Sequence, residues 1–252
     1  MKRTTTILII VFIFIGSAIA YSQSAPSVQL PNIGINVGTT GKPGDVSVTL
    51  QLLLLLTVLS LAPSIMIMTT SYLRIIIVFY FLKNALGTPQ MPPSQLIAGV
   101  ALFLTFFIMA PTWSKVNDVA LQPLMNGQIT PKQAYDSGIQ PIREFMFRNV
   151  RDEDLELFIG LAHMNRPNDR NDLPTYIVVP AFVISELRAG FIIGFFLFIP
   201  FLMIDMIVSS ILMSMGMMML PPTLVSLPFK ILLFILIDGW HLIIGSLVRS
   251  FS

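Results

Sequence analysis

The chain has 252 residues, 54% of them hydrophobic and 11% charged, with a mean hydropathy of +0.80 and a net charge of +2. Soluble domains carry roughly 25% charged residues, so the composition excludes an ordinary soluble domain and marks a membrane protein. Cysteine is absent, which excludes disulfides and cysteine-ligated metals.

In chain order, residues 1–20 read as a secretory signal peptide. Lys2 and Arg3 open it, Ile7 to Ile15 is the apolar core, and Ala18-Ile19-Ala20 forms a small-x-small cleavage site. Residues 21–45, rich in Ser, Pro, Gly and Asn, follow as a flexible exported leader. Residues 46–111 are expected to form a first helical hairpin. Its opening apolar block, 46–82, would be about 55 Å long as one helix against a hydrocarbon core of about 30 Å. Pro63 interrupts the block and Thr69-Thr70-Ser71 is polar. It is therefore either a kinked helix extending past the bilayer or two shorter helices. Arg74 and Lys83 belong at the cytoplasmic side or in a protein-lined interior. Residues 83–93 form a Gly/Pro-rich turn, and a second apolar segment, 95–109, is ended by Pro111.

Residues 112–179 differ in kind. Positions 115–172 hold 16 of the 28 formal charges, net −2, with no polybasic stripe for nucleic acid. Ile142, Phe145, Met146 and Phe147, then Leu155, Phe158, Ile159 and Leu161, are spaced as in amphipathic helices. Asp152, Glu153 and Asp154 precede the second set, as a helix N-terminus favours. A small polar helical domain follows, placed on the exported side if the chain passes inward and then outward.

Residues 180–252 make a second hairpin, with apolar arms 180–212, broken by Pro200, and 223–248 around a loop, 213–222. Five of the seven residues from Met213 to Met219 are methionine, and the run stops at Pro221-Pro222. Met is unbranched and polarizable and repacks around different shapes. Gly216 loosens the backbone, and the prolines prevent the incoming helix from continuing. The pattern fits an ordinary hairpin with gap-filling Met. It equally fits a soft gasket of Met217, Met218 and Met219, flanked by Met213 and Met215, in which copies of the loop seal a hole around a symmetry axis.

The segments Ala85-Leu-Gly-Thr-Pro-Gln-Met-Pro-Pro93, Ala101-Leu-Phe-Leu-Thr-Phe-Phe-Ile-Met-Ala-Pro111 and Pro180-Ala-Phe-Val-Ile-Ser-Glu-Leu-Arg188 resemble the flagellar biosynthetic protein FliP family. So do Met215-Gly-Met-Met-Met-Leu-Pro-Pro222, Leu227-Pro-Phe-Lys-Ile231 and Asp238-Gly-Trp240. Virulence type III secretion has a similar subunit, but the leader resembles the flagellar branch more. The resemblance implies an all-α membrane protein of kinked hairpins, five copies of which form a ring with FliQ and FliR type subunits. That ring would be a gate of the bacterial inner membrane within the basal body, passing unfolded flagellar proteins. It implies no cofactor, and energy supplied elsewhere in the apparatus by an ATPase complex and the proton motive force.

Enzymatic chemistry finds no support. His163 and His241 are isolated, one read as surface and the other as packing near the end of the last helix. No H-E-x-x-H or G-x-S-x-G motif exists. Gly34-Ile-Asn-Val-Gly38 is too sparse for a phosphate loop. The charges in apolar segments are more informative, because such groups usually face protein or a water-filled path. They are Arg74, Glu186, Arg188, Asp205, Lys230 and Asp238, with Arg188 and Asp238 also able to snorkel to an interface. An ion or proton transporter subunit is one alternative they raise; a purely structural basal-body scaffold is another. Lys230 and Asp205 each lie about eight residues from the loop, about 12 Å of helix, so a straight hairpin pairs them. A Glu186–Lys230 pair needs a sharp bend or a neighbouring subunit, and the resemblance favours that inter-subunit pair.

Overall fold

The computed structural model describes residues 43–88, 92–164, 169–217 and 220–251. The signal peptide, most of the leader, and Met218 and Met219 lie outside the described residues. Every regular element among the described residues is helical. By its contacts the chain divides into Met1–Leu52 and Leu53–Ser252. The described part of the first unit is the opening of one helix, and the second unit holds the other elements.

The first described helix, α1, spans Pro43–Thr69 and passes straight through Pro63. From Leu53 onward it is apolar on every side and uncovered, with Leu53, Leu54, Leu55 and Leu56 all at least 60% exposed. Helix α2, Tyr72–Leu86, begins after a break at Thr70-Ser71. The apolar block is thus two helices, and polar residues part them instead of the proline. Thr70 turns its hydroxyl back onto the Met66 carbonyl at 2.8 Å, the local competition that weakens helix continuation.

Helix α3, Ser94–Val116, does not end at Pro111 as its composition suggests. It runs on through one wide turn, Asn117–Leu121, into the short α4, Gln122–Met125. A proline removes one N–H and crowds one carbonyl, and a long apolar helix retains enough other bonds to absorb that loss. The same holds for Thr175–Ser214, helix α7. Its 40 residues carry Pro180 and Pro200 in the interior without interruption. At 1.5 Å per residue it is about 60 Å long, so the expected break at Pro200 does not occur.

Between α4 and α7 lie α5, Pro131–Asn149, and α6, Asp152–Leu161. Thr130 starts α5 through a reciprocal cap. Its hydroxyl accepts from the Gln133 backbone N–H at 3.4 Å, while Gln133 Oε1 accepts from the Thr130 N–H at 2.9 Å. Phe145 and Met146 of α5 and Leu155 of α6 are buried against Met109 of α3 and Ile177, Val178, Ala181 and Phe182 of α7. The polar region therefore shares its core with the apolar helices on either side. Arg143 braces it, donating to Thr175 Oγ1 at 2.7 Å and to the carbonyls of Asn171, at 3.0 Å, and Leu173. Burial presses its guanidinium below the ordinary arginine pKa.

Helix α2 is the hub. Ile75 and Val78 face α3, Leu82 and Leu86 face the α7–α8 end, and α2 packs against α7 more extensively than any other helix pair. The approach depends on small residues. A Cβ on Gly194 would stand 2.5 Å from the Phe81 ring, too close for any side chain. The chain closes with α8, Pro222–Leu236, and α9, Gly239–Arg249, bent by 63° at Asp238. The expected single arm, 223–248, is thus two helices. Asp238 takes the left-handed conformation at φ +50°, which an α-helix cannot continue through. Among the described residues, three helices are long and apolar enough to cross a membrane, or four if α8 and α9 together count as one span.

Candidate functional site

The described start of the methionine loop, through Met217, is a built helix end. Helix α7 ends on a pair of backbone bonds: Met217 N–H to the Leu212 carbonyl at 3.0 Å, and Gly216 N–H to the Met213 carbonyl at 3.1 Å. This nested closure requires the residue at Gly216 to be left-handed. Its φ is +75°, which glycine adopts without penalty. Pro221 and Pro222 then open α8, where a missing N–H costs nothing because the first turn has no intrahelical acceptor for it. The result projects thioethers outward, with Met213, Met215 and Met217 exposed at 56%, 66% and 43%. The flanks of α7 carry Met203, Met206, Ile207 and Ile211, also largely uncovered. Such a tip offers bulk, apolarity and rotatable bonds.

Beside the loop, Lys230 of α8 donates to Asp205 of α7 at 2.6 Å, and Ser226 donates to the other carboxylate oxygen. Lys230 is almost fully buried, whereas the Asp205 side chain is 27% exposed. About five turns further back along α7, Glu186 is completely buried and paired with Arg74 of α2. Arg74 Nε donates to Glu186 Oε2 at 2.9 Å, and its Nη2 contacts Oε1. Arg74 Nη1 also holds Ser250 through its carbonyl at 2.8 Å and its hydroxyl at 3.0 Å, and the guanidinium lies 3.8 Å from the centre of the Phe251 ring. Arg74 therefore lies in a protein-lined interior and ties the start of α2, the middle of α7 and the end of the chain. Within one chain the Glu186–Lys230 pair does not form. Glu186 is taken by Arg74, while the antiparallel run of α7 and α8 from the loop sets Lys230 against Asp205.

Several contributors carry no sequence signal. Ser226, Ser250 and Phe251 complete the two ion pairs but look like ordinary small or apolar positions. Ser185 donates to Asp154 at 2.6 Å and accepts from the Arg151 N–H at 3.1 Å, which seats α6 on α7. His163 is exposed just past α6, and His241 lies exposed in the first turn of α9, not near its end. Among the described residues, no group of three or more His, Cys, Asp or Glu gathers as a metal site would require.

With these features in place, comparison with known proteins is decisive. The model of the FliP family matches residues 55–247. The flagellar biosynthetic protein FliP of Bacillus subtilis (strain 168) is 55% identical over 217 residues, covering 86% of this chain and 98% of its own. That of Caulobacter vibrioides is 47% identical over 93% of this chain and 85% of its own. The Aquifex aeolicus protein is 43% identical over the whole of both chains.

The chain belongs to the FliP family.

FliP relatives are named for flagellar biosynthesis, not for a catalysed reaction. The matched span runs from α1 to α9 and takes in both ion pairs and the methionine loop. The apolar helices among the described residues are compatible, by length and composition, with a FliP-family protein that crosses a membrane several times.

Proposed function

We propose that this protein is a pore-forming subunit of the flagellar type III protein export gate. Copies of the chain, five on the family resemblance, ring a passage with FliQ and FliR type subunits in the inner membrane, within the basal body. Unfolded flagellar proteins pass through it, driven by other parts of the export apparatus. The observation that carries this reading is the closed turn that presents Met213, Met215 and Met217 outward between two uncovered apolar helices. In a ring, the tips of neighbouring loops, including Met218 and Met219, would meet and exclude ions. Three rotatable bonds in each side chain would let them part around a passing chain. The pairing of Arg74 with Glu186 and of Lys230 with Asp205 supports a passive channel over an ion transporter, since paired charges do not offer a relay.

Replacing Met217, Met218 and Met219 together with Ala tests it. The assembly is expected to form and to continue partial export while cells become leaky to small ions. Conductance or ion-sensitive growth, with assembly checked in parallel, is the measurement. Normal assembly with an unchanged ion barrier refutes the gasket, and misassembly without a leak assigns the loop a structural role.

A further inference from the structure

Three cations are buried in the apolar helices: Arg74, Lys83 and Lys230. Two have an acid. Lys83 has none among the described residues. It sits in the last turn of α2, 9% exposed, and its ammonium makes one long bond, 3.3 Å to Ser94 Oγ. The group carries three donors and a full charge. It lines a cleft otherwise walled by Phe79, Leu82, Leu86, Leu96 and Trp240, where no other charged side chain takes part. The carbonyls at the end of α2 offset only part of the cost of that burial.

The described acids of α2, α3 and α7–α9 are likewise three: Glu186, Asp205 and Asp238. Asp238 forms no ion pair among the described residues and makes no capping bond with its side chain. It is exposed on the α8–α9 bend in a left-handed conformation. Aspartate adopts that conformation when its short side chain bonds to the local backbone, and here the carboxylate makes no such capping bond. Two residues on, Trp240 forms a wall of the Lys83 cleft and packs edge-on against Phe79 at 6.3 Å.

We infer that the Lys83 cleft is the socket for Asp238 of a neighbouring copy of this chain. Pairing gives a buried cation its missing acid and an idle acid its function. In the proposed ring the contact is head-to-tail, one copy's Asp238 on the next copy's Lys83, the kind that closes when its rotation allows. This inference rests on the proposed homo-oligomeric ring and names one of its contacts.

The absence of cysteine makes the test direct. Two differently tagged chains, one Lys83→Cys and the other Asp238→Cys, are co-expressed and treated in membranes with a short bifunctional maleimide. A linker is needed because a lysine stem holds the two Cβ atoms beyond the roughly 4 Å of a disulfide. A product carrying both tags is expected, and none when both chains carry Lys83→Cys. In parallel, Lys83→Glu and Asp238→Lys should each deplete the multi-copy particle seen by native mass measurement, and the double swap should restore it. A multi-copy particle with no doubly tagged product overturns this contact and leaves the ring standing. A single-copy particle overturns the ring itself. A cross-link to a different flagellar subunit reassigns the socket and overturns the inference. If the cysteine chains do not assemble, the charge swap decides, and failure of the double swap to rescue refutes the pairing.

Discussion

The two ion pairs on α7 are built from the same chemistry and differ in what surrounds them. Arg74 and Glu186 are closed in from all sides, with side-chain exposures of 6% and 0%, and the guanidinium also holds Ser250 and packs on Phe251. Lys230 and Asp205 lie beside the methionine loop, with the carboxylate 27% exposed. The first pair joins three parts of the chain that are far apart in sequence; the second joins the two neighbouring arms of a hairpin. A sealed pair has no alternative partner, so it specifies architecture. A pair with one open side can exchange partners when another molecule docks, so it belongs to the part of the protein that meets its neighbours.

The largest effect separating the two is expected at Glu186. Glu186→Leu leaves the Arg74 guanidinium buried without its acid, a loss of about 3–5 kcal/mol. Little folded protein should survive detergent extraction, as read by limited proteolysis. Adding Arg74→Met should recover part of it, because an apolar pair strands no charge. If Glu186→Leu alone is as resistant as the parent, the sealed pair is not what holds α2, α7 and the C-terminus together.

Lys230→Met should cost less, about 1.5–3 kcal/mol, in the range for hydrogen bonds to charged groups. Asp205 keeps its bond from Ser226 and has access to solvent. Thermal melting of the extracted protein compares this variant with Glu186→Leu directly. Equal losses would show that the exposure of Asp205 does not matter and would erase the distinction drawn here.

The smallest effect marks the fully exposed limit of the series. Asp169 accepts bonds from the Asn171 backbone N–H, at 3.1 Å, and side chain, which hold its carboxyl below the ordinary value. A depressed folded pKa contributes stability above the unfolded value, near 3.9. That contribution fades as pH falls toward and through the lower folded value. Asp169→Asn should therefore leave neutral stability almost unchanged and slightly flatten the acid limb of a melting-temperature profile. An unaltered acid limb would show that these two bonds to Asp169 contribute nothing measurable.

How far the sequence could be read follows from where each signal resides. The amphipathic spacing of Phe145, Met146 and Leu155 marked α5 and α6, because each helix offers one apolar face and burial follows that face. The loop was legible from Gly216 and the two prolines, whose backbone restrictions are local. Prolines inside long apolar helices misled: Pro111 and Pro200 look like breaks, yet neighbouring hydrogen bonds carry the helix past them. The real break at Asp238 had no such mark, because an aspartate is left-handed only when its surroundings make it so.

The charges show the division most clearly. Composition and hydropathy determined that the chain is helical and suited to a membrane, because uninterrupted apolar runs leave the backbone no partners but its own. The same runs made Arg74, Glu186, Asp205 and Lys230 conspicuous, since an ionised group in an apolar segment demands a partner. Which partner each one took was decided by the tertiary structure. Glu186 meets Arg74 across 112 positions of sequence, through the close crossing of α2 and α7 that Gly194 permits. Helix periodicity specifies which side of a helix a charge is on; only the packing of helices determines what stands opposite it.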